Sequence, residues 1–322
     1  MRKEEILREL DWIMNYRTPV VALDDPDNNI FLKKEDAIPF SFGGNKCRIA
    51  ARYFMDLIEK DCDVVITYGA TSSNMCRVVA NMAARYGLKC VIVTPDEMAA
   101  TTCNSEITEL LGARRVKCPL DDVAGTIDRV VGEYRKTGNP YFIYGGGHGV
   151  LGTDSYRNVL QQIVDHEASC DMVFDYVFIT LATGTSMSGL IAENEIRGCG
   201  KNIIGVSVAR EYDRTYRIMS EALTAYDSRL SGALESGRYR ILGDYRFGGH
   251  GRYSKDVIEL IRYEMKSNGV NFDATYTGKA FFGMKDYLRR NNITGRNILF
   301  IHTGGTPLFF RDSCRYLNEI DG

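Results

Sequence analysis

The sequence predicts an α/β protein with two open, twisted, mostly parallel sheets that carry helices on both faces. Short apolar runs alternate with segments of helical period along the 322 residues, an order typical of parallel βαβ units. The apolar runs are continuous rather than alternating, as expected for strands buried on both faces. Glycine-rich turns follow several of these runs, at the carboxyl ends where open parallel sheets bind ligands.

The individual elements follow from these patterns. The predicted strands cover residues 30–32, 64–68, 90–93, 115–117, 141–144, 175–181, 202–208 and 297–302. The predicted helices cover residues 4–16, the segment after Lys46, residues 79–86, the segment before Gly112, residues 121–136 and the segments after Gly184 and Ala280. No linker rich in proline, serine or glycine separates the two halves of the chain.

Composition limits the classes of function. Forty basic and 42 acidic residues leave a net charge of −2, which argues against nucleic acid or an anionic membrane as a partner. No apolar run approaches the roughly 18 residues of a membrane-spanning helix, and the N-terminal residues lack the apolar region of a signal peptide. Nine cysteines without a C-x-x-C pair suit a reducing cytosol, and the four histidines lack the spacing of a zinc site. We therefore expect a cytoplasmic protein without a bound metal.

A glycine-rich turn leads into a helix at Lys46. The adjacent Gly43 and Gly44 allow positive φ angles and a close approach to a bound group. Apolar residues then recur at helical spacing, namely Ala50, Tyr53, Phe54 and Leu57. A lysine amine held among apolar groups is a nucleophile toward an aldehyde, because burial lowers its pKa. Taken alone, such a lysine is more often a solvated surface charge.

Two further turns open helices. Ser73 and Asn74 end the turn 69–74, where they fit either an ordinary helix N-cap or the binding site of a substrate carboxylate. The turn 183–190 combines hydroxyls and glycines with the free N–H groups of a helix start, and this combination suits a phosphate group. A plain strand-to-helix turn is the alternative there. The candidate phosphate ligands are Thr183, Gly184, Thr185 and Ser186.

Two turns near the end of the chain complete the set of candidates. The turn 273–280 contains Tyr276 and precedes a segment of helical period. A tyrosine in such a place is more often a packing residue than a catalytic one. The last predicted strand leads into the segment 302–307, His-Thr-Gly-Gly-Thr-Pro, which contains Thr303.

Together these segments resemble one family of pyridoxal-phosphate enzymes. The family contains D-cysteine desulfhydrase and 1-aminocyclopropane-1-carboxylate deaminase and has the tryptophan synthase β-like fold, fold type II. The similarity extends over residues 18–312 and includes the string 31–36, the turn 39–46 and, in the expected order, the later turns. The resemblance implies that Lys46 carries pyridoxal 5′-phosphate as a Schiff base and also removes the α-proton of a small amino-acid substrate.

The resemblance also implies roles for the other candidates. Asn74 would contact the 3′-oxygen of the cofactor, and Ser73 would face the substrate. The residues 183–186 would hold the phosphate. Tyr276 would lie over the active site, and Thr303 would lie beside the pyridine nitrogen.

The family organisation predicts two domains. A smaller α/β domain, here residues 48–157, is inserted into a larger cofactor-binding domain formed by residues 1–47 and 158–322. The resemblance places the cofactor in the cleft between the two domains. Relatives of this kind suggest a homodimer.

Several residues depart from the family pattern. Ser72 and Met75 replace a glutamine and a histidine or glutamine beside the substrate. The deaminase branch has a glutamate where Thr277 stands and a leucine where Thr303 stands, so both positions favour the desulfhydrase branch. A hydroxyl beside the pyridine nitrogen allows that nitrogen to stay neutral. A neutral ring favours rapid loss of a β-leaving group over the opening of a cyclopropane.

His250 replaces a family tyrosine within the glycine-rich segment 244–253. Histidine can act as an acid or a base near neutral pH. A histidine that is merely hydrogen-bonded in a glycine-rich loop is the alternative. The candidate catalytic residues are therefore Lys46, Ser73, Tyr276 and His250.

The sequence thus predicts a pyridoxal-phosphate-dependent lyase, similar to D-cysteine desulfhydrase, that acts on a small β-substituted amino acid and releases a keto acid and ammonia. The first alternative is a β-replacement synthase, similar to cysteine synthase, in which a nucleophile traps an aminoacrylate intermediate. The second alternative is a binding protein that kept the fold and lost the activity. The sequence leaves open the leaving group and the enantiomer.

Overall fold

The computed structural model of the chain describes residues 2–249 and 251–310. Its strands are β1 Val20–Leu23, β2 Asn29–Lys34, β3 Val64–Tyr68, β4 Lys89–Pro95, β5 Arg114–Cys118, β6 Pro140–Ile143, β7 Tyr176–Leu181, β8 Ile203–Ser207, β9 Tyr239–Leu242 and β10 Asn297–His302. Its helices are α1 Lys3–Asn15, α2 Asn45–Glu59, α3 Asn74–Tyr86, α4 Cys103–Leu110, α5 Val123–Arg135, α6 Val150–Asp154, α7 Arg157–Cys170, α8 Thr185–Arg197, α9 Tyr212–Tyr226, α10 Lys255–Ser267 and α11 Thr277–Arg290.

The strands form two sheets, as predicted. The larger sheet has the order β1-β2-β10-β7-β8-β9, and the smaller one has the order β5-β4-β3-β6. Within the described residues, the pair β1 and β2 is antiparallel, whereas the other pairs in both sheets are parallel. The α/β fold class with two open, mostly parallel sheets is therefore confirmed. None of the helices in the described ranges is long and apolar enough to cross a membrane.

All predicted strands are present, with ends that differ by at most two residues. The sequence analysis did not identify β1 and β9, which are the two edges of the larger sheet. Each has four residues and is only partly buried, so neither gives the continuous apolar signal of a central strand. It also did not identify α6, α7, α9 and α10. For α10, the spacing of the buried residues Val257, Ile258 and Ile261 could have revealed the helix.

The apolar core is divided among clusters on the faces of the two sheets. Ile6, Leu10 and Ile13 of α1 are buried in the same cluster as side chains of α2, α3 and β4. The first helix therefore packs beside the smaller sheet. The domain limits proposed from the sequence remain a prediction.

A buried ion pair connects α2 to the larger sheet. The Glu35 carboxylate, directly after β2, accepts hydrogen bonds from Arg48 Nε at 2.6 Å and Nη2 at 2.9 Å. Both side chains are fully buried. Burial raises the pKa of Glu35, but the charge and hydrogen bonds of Arg48 outweigh burial and lower that pKa to about 2. The pair therefore stays ionised inside the protein.

The strand ends of the two sheets position the site. Tyr68, Leu181 and His302 are the last residues of β3, β7 and β10, and each leads directly into a glycine-containing turn. Carboxyl ends of parallel strands in open sheets face the ligand-binding crevice. The turns after these three strands border one cavity.

Candidate active site

A cavity of about 430 Å³ lies between the turns that follow β3, β7 and β10. The predicted site residues that line it are Lys46, Ser73, Asn74, Thr183, Gly184, Thr185, Ser186, Tyr276 and Thr303. The structure thus brings together the predicted site residues within its described ranges. His250 lies outside the described residues.

The turn before Lys46 is built from residues with positive φ. These angles are 45° at Ser41, 59° at Phe42, 68° at Gly43 and 101° at Gly44. A Cβ atom added at Gly43 would lie 2.0 Å from a backbone oxygen, and one added at Gly44 would lie 2.8 Å from another. Glycine is therefore required at both positions, and it lets the backbone turn sharply into the helix that carries the lysine.

This turn packs against the turn that follows β10. The backbone N–H of Asn45 donates to the Thr303 carbonyl at 3.1 Å. A Cβ atom added at Gly304 would lie only 2.7 Å from the Gly44 Cα. Two glycine turns that are far apart in sequence therefore touch, and their contact places Lys46 and Thr303 on the same cavity.

Lys46 extends from the first turn of α2 into the cavity. Its Nζ donates to the Gly146 carbonyl at 3.1 Å. Burial lowers the pKa of the Lys46 amine to about 8, and the nearby positive charge of Arg210 adds to this effect. A considerable fraction of the amine is therefore neutral near physiological pH, as a nucleophile requires.

Ser73 and Asn74 occupy the start of α3. Ser73 Oγ accepts the Cys76 N–H at 3.2 Å, so Ser73 is an ordinary N-cap as well as a residue of the cavity wall. Asn74 Oδ1 accepts hydrogen bonds from Asn104 Nδ2 at 3.0 Å and from Arg77 Nη1 at 3.3 Å. These two hydrogen bonds occupy the oxygen of the Asn74 amide and fix the orientation of the amide group.

Arg77, which lies behind Asn74, is not among the site residues predicted from the sequence. Its side chain is fully buried, and burial lowers its pKa to about 10. Its Nη2 also approaches the Gly43 carbonyl at 3.5 Å, and its guanidinium lies 5.7 Å from the centre of the Phe42 ring. Arg77 therefore contacts both Asn74 and the turn before Lys46. Its position one turn after Asn74 was the signal that could have revealed it.

The turn after β7 has the form expected of a phosphate site. Gly184 has a φ of 82° and caps α8, so the free N–H groups of the first turn face outward from the helix. The hydroxyls of Thr183 and Thr185 are 2.8 Å apart, and Asn45 Nδ2 donates to Ser186 Oγ at 2.9 Å. Hydroxyls and backbone donors at a helix start attract an anion.

Two threonines near the end of the chain differ in their hydrogen bonds. The Thr277 hydroxyl donates to Asp273 Oδ2 at 2.7 Å and accepts from the Asp273 N–H at 3.0 Å. Thr277 is fully buried, and it does not line the cavity. Thr303 lines the cavity, and its hydroxyl makes no hydrogen bond to another described residue. The structure therefore leaves the hydroxyl of Thr303 available to a ligand.

The buried carboxylate beside Thr277 is also part of the framework. Asp273 Oδ1 accepts the N–H groups of Thr275 at 3.0 Å and Tyr276 at 2.8 Å. Burial raises the pKa of Asp273 to about 6. Burial, and to a lesser extent Asp273, raises the pKa of Tyr276 well above its ordinary value, so Tyr276 keeps its proton. Asp273 thus orients the turn that carries Tyr276.

The electrostatics of the cavity suit an anionic aldehyde cofactor. Lys46, Arg210 and Arg214 line it, whereas no aspartate or glutamate of the described residues does. Neither arginine is among the site residues predicted from the sequence, because neither belongs to a glycine turn. A lysine with a lowered pKa, a helix start with hydroxyls and an excess of positive charge fit pyridoxal phosphate.

Comparison with known sequences agrees with this assignment. The 1-aminocyclopropane-1-carboxylate deaminase of Bradyrhizobium sp. (strain ORS 278) is 28% identical over 307 residues, which cover 90% of this chain and 90% of that protein. The enzyme of the same name from Burkholderia vietnamiensis is 28% identical over 297 residues, which cover 86% of this chain and 87% of that protein.

Solved structures give the same fold. A crystal structure described as an ACC deaminase homologue has a TM-score of 0.82 and 26% identity, with 99% of both chains covered. A hydrogen sulfide-producing enzyme from Fusobacterium nucleatum has a TM-score of 0.67 and 17% identity, with 92% of this chain and 98% of that chain covered. A cysteine synthase from Entamoeba histolytica has a TM-score of 0.65 and 16% identity, with 97% and 95% covered. At these lower identities the last two establish the fold alone.

The family described as pyridoxal-phosphate dependent enzyme matches residues 13–304. This match covers most of the chain and includes the turns that border the cavity. The chain is therefore a member of the pyridoxal-phosphate-dependent enzyme family, with the fold type II architecture and a similarity to 1-aminocyclopropane-1-carboxylate deaminases.

Proposed function

We propose that this enzyme removes the β-substituent of a small amino acid and releases a keto acid and ammonia, as a D-cysteine desulfhydrase-like lyase. The observation that carries the proposal is the cavity wall at Thr303. This wall offers a threonine hydroxyl, and none of the described carboxylates lines the cavity. The proposal accordingly favours β-elimination over the opening of a cyclopropane ring.

The residues of the cavity suggest how the cofactor is held. The Lys46 amine would bind its aldehyde, and Thr183, Thr185 and Ser186 would hold its phosphate at the start of α8. The Asn74 amide would donate to its 3′-oxygen, because the oxygen of that amide already accepts two hydrogen bonds. Bound pyridoxal phosphate supplies an aldehyde for the lysine and an electron sink for the substrate α-carbon.

Lys46 is also the proposed base at the substrate α-carbon. Burial lowers its pKa to about 8, so the neutral amine predominates above that pH and the protonated amine below it. A base with a pKa near the working pH can both accept and return a proton. Ser73, in the wall beside Asn74, is proposed to contact the substrate, and Tyr276 is proposed to lie over it.

A threonine at the ring nitrogen, the position proposed for Thr303, would favour elimination. A carboxylate there would hold the nitrogen protonated and strengthen the electron sink. The Thr303 hydroxyl can share a hydrogen bond without providing a charge, so the nitrogen stays neutral. A weaker sink suffices when a β-substituent leaves with its own electron pair. It is less effective for a substrate that has no leaving group.

Met75 and His250 are proposed to distinguish this enzyme from its relatives. Met75 is almost fully buried and lines the cavity, where it presents an apolar, polarizable surface. We expect D-cysteine to be a weaker substrate than another β-substituted alanine. We also expect His250→Phe to change the shape of the pH–rate profile. Profiles of the same shape would show that His250 is structural.

The test is a measurement of keto-acid release from D-cysteine, L-cysteine, O-acetylserine and 1-aminocyclopropane-1-carboxylate. The expected result is pyruvate from at least one of the first three substrates and poor turnover of the last. Efficient formation of 2-oxobutanoate from the cyclopropane substrate would overturn the proposal. Adding sulfide to the O-acetylserine reaction separates elimination from replacement, because a synthase would then form cysteine instead of pyruvate.

We further propose that the enzyme is a cytoplasmic homodimer. The cysteines within the described ranges are all free thiols, which supports a reducing compartment. The dimer is supported by the resemblance to the family. Light scattering after size-exclusion chromatography should give twice the mass of 36.2 kDa, and a monomer mass would contradict the dimer.

A further inference from the structure

We infer that Arg210 and Arg214 form a second anion site in the cavity, which binds an oxyanion group such as a phosphate, sulfonate or carboxylate. This anion site adds a binding group to the active site of the proposed function. The inference rests on the proposed function for the substrates that are used in its test. It is separate in sequence from the anion site at the start of α8, since the two arginines lie between β8 and the first turn of α9.

The first observation is the distribution of charge around the cavity. Arg210 follows β8, Arg214 is in the first turn of α9, and both line the cavity together with Lys46. Within the described ranges, these three are the charged residues that line the cavity, and all three are cationic. One anion at the start of α8 would leave part of this positive charge uncompensated.

The second observation is that neither arginine side chain has a hydrogen-bond or ion-pair partner among the described residues. Arg210 Nη1 is buried and has no hydrogen-bond acceptor among the described residues. Neither arginine forms an ion pair with a described carboxylate, and the neighbouring Glu211 pairs with Arg246 instead. A buried guanidinium nitrogen without an acceptor, such as Arg210 Nη1, is unfavourable, so a ligand that supplies acceptor oxygens would be stabilising. The Arg210 side chain as a whole is partly buried, and Arg214 is exposed where it borders the cavity.

The surrounding groups keep the site positive. Burial lowers the pKa of Arg210, and the charge of Arg214 lowers it further, yet arginine remains protonated at neutral pH. Burial also lowers the pKa of the nearby His148, and Arg210 is the next cause, so His148 is neutral and does not add charge. Glu221 is the carboxylate that acts on His148, and it is solvent-exposed.

The chemistry of the two side chains defines the ligand. Guanidinium groups donate pairs of parallel hydrogen bonds that match the oxygens of phosphate, sulfonate and carboxylate groups. Such a group can come from two sources in this cavity. One is the phosphate of the cofactor, which the arginines would bind in addition to the turn at the start of α8, and the other is an anionic β-substituent of the amino-acid substrate.

Glutamine variants of the two arginines test the site. The variants are Arg210→Gln, Arg214→Gln and the double variant, with Arg217→Gln as the control. Arg217 is exposed on the same helix and does not line the cavity. Arg210→Lys keeps the charge but loses the paired hydrogen bonds, so its binding should be weaker than that of the wild type and stronger than that of Arg210→Gln. Circular dichroism and thermal melting verify that each variant is folded.

The first readout is the affinity of the cofactor-free full chain for pyridoxal phosphate and for pyridoxal, measured by titration in the visible spectrum. If the cofactor phosphate is the ligand, the double variant binds pyridoxal phosphate at least about tenfold more weakly and pyridoxal with unchanged affinity. This readout needs no turnover, so it remains informative if the proposed reaction is wrong.

The second readout is binding and turnover of O-phosphoserine compared with O-acetylserine in the holoenzyme. If the substrate supplies the anion, the double variant loses the preference for O-phosphoserine and keeps its affinity for the cofactor. Binding is measured by the spectral change on addition of the amino acid, so that a failure of β-elimination is distinguished from a failure of the anion site. Changes of less than about twofold in both readouts would overturn the inference.

Discussion

Replacing Glu35 with glutamine tests how the helix of Lys46 is held against the larger sheet. Glu35 and Arg48 are fully buried and share two short hydrogen bonds. Glutamine keeps the shape of the side chain but removes its charge. Arg48 then stays inside the protein without a counter-charge, and the removal of one partner of a buried pair is strongly destabilising.

The magnitude follows from the pKa of Glu35. That pKa falls from its ordinary value of 4.5 to about 2 in the folded protein. A pKa that is lower by about 2.5 corresponds, at about 1.4 kcal/mol for each unit of pKa, to about 3–4 kcal/mol. Breaking a buried ion pair costs about 3–5 kcal/mol, in agreement with this value. We therefore expect Glu35→Gln to lower the free energy of unfolding by about 3 kcal/mol at pH 7.

The dependence on pH has a definite sign. Because the folded-state pKa is lowered, the carboxylate contributes its stabilisation above pH 4.5 and loses it as the pH falls toward about 2. The difference between wild type and Glu35→Gln should therefore be largest at neutral pH and shrink below pH 4.5. Urea unfolding followed by circular dichroism at pH 7 and pH 3 measures both values.

Glu5→Gln is the matched control, since Glu5 pairs with Arg2 at 2.8 Å on the surface. That variant should unfold like the wild type, because exposed ion pairs contribute little. A loss of less than about 1 kcal/mol for Glu35→Gln at pH 7 would refute the reasoning, given the cost expected for a broken buried pair. An equal loss at pH 3 would also refute it.

Three further predictions concern the cavity. Lys46→Ala should abolish turnover and the covalent labelling by cofactor and borohydride seen in mass spectra, and normal activity would exclude Lys46. Thr303→Val should lower kcat while the cofactor remains bound, whereas Thr277→Val should mainly lower Tm. The opposite pattern would assign the contact with the ring nitrogen to Thr277. Gly304→Ala should reduce the unfolding free energy by at least about 1 kcal/mol more than Gly295→Ala. Both glycines have positive φ, but of the two only Gly304 would place its new Cβ against backbone, 2.7 Å from the Gly44 Cα. Equal losses of unfolding free energy would contradict that clash.

The sequence by itself determined the central strands, the glycine turns and the family resemblance. These signals are local, because a buried parallel strand needs a continuous apolar run and a sharp turn into a helix needs glycine at a position such as Gly44. The predicted site residues within the described ranges therefore do line one cavity. The edge strands β1 and β9 were missed because partial exposure weakens the same local signal.

Only the tertiary structure decided which side chains face the cavity and which are occupied elsewhere. Thr277 and Thr303 are the same residue type, but the hydroxyl of Thr277 is hydrogen-bonded to Asp273, whereas Thr303 lines the cavity. Arg210 and Arg214 carry no motif, and the folding of α9 against the phosphate turn brings them beside Lys46. The charge cluster joins residues that are far apart in the chain, so it depends on tertiary packing that no local sequence pattern specifies. The bond between Thr277 and Asp273 is local, but only the tertiary structure shows that Thr277 is buried away from the cavity.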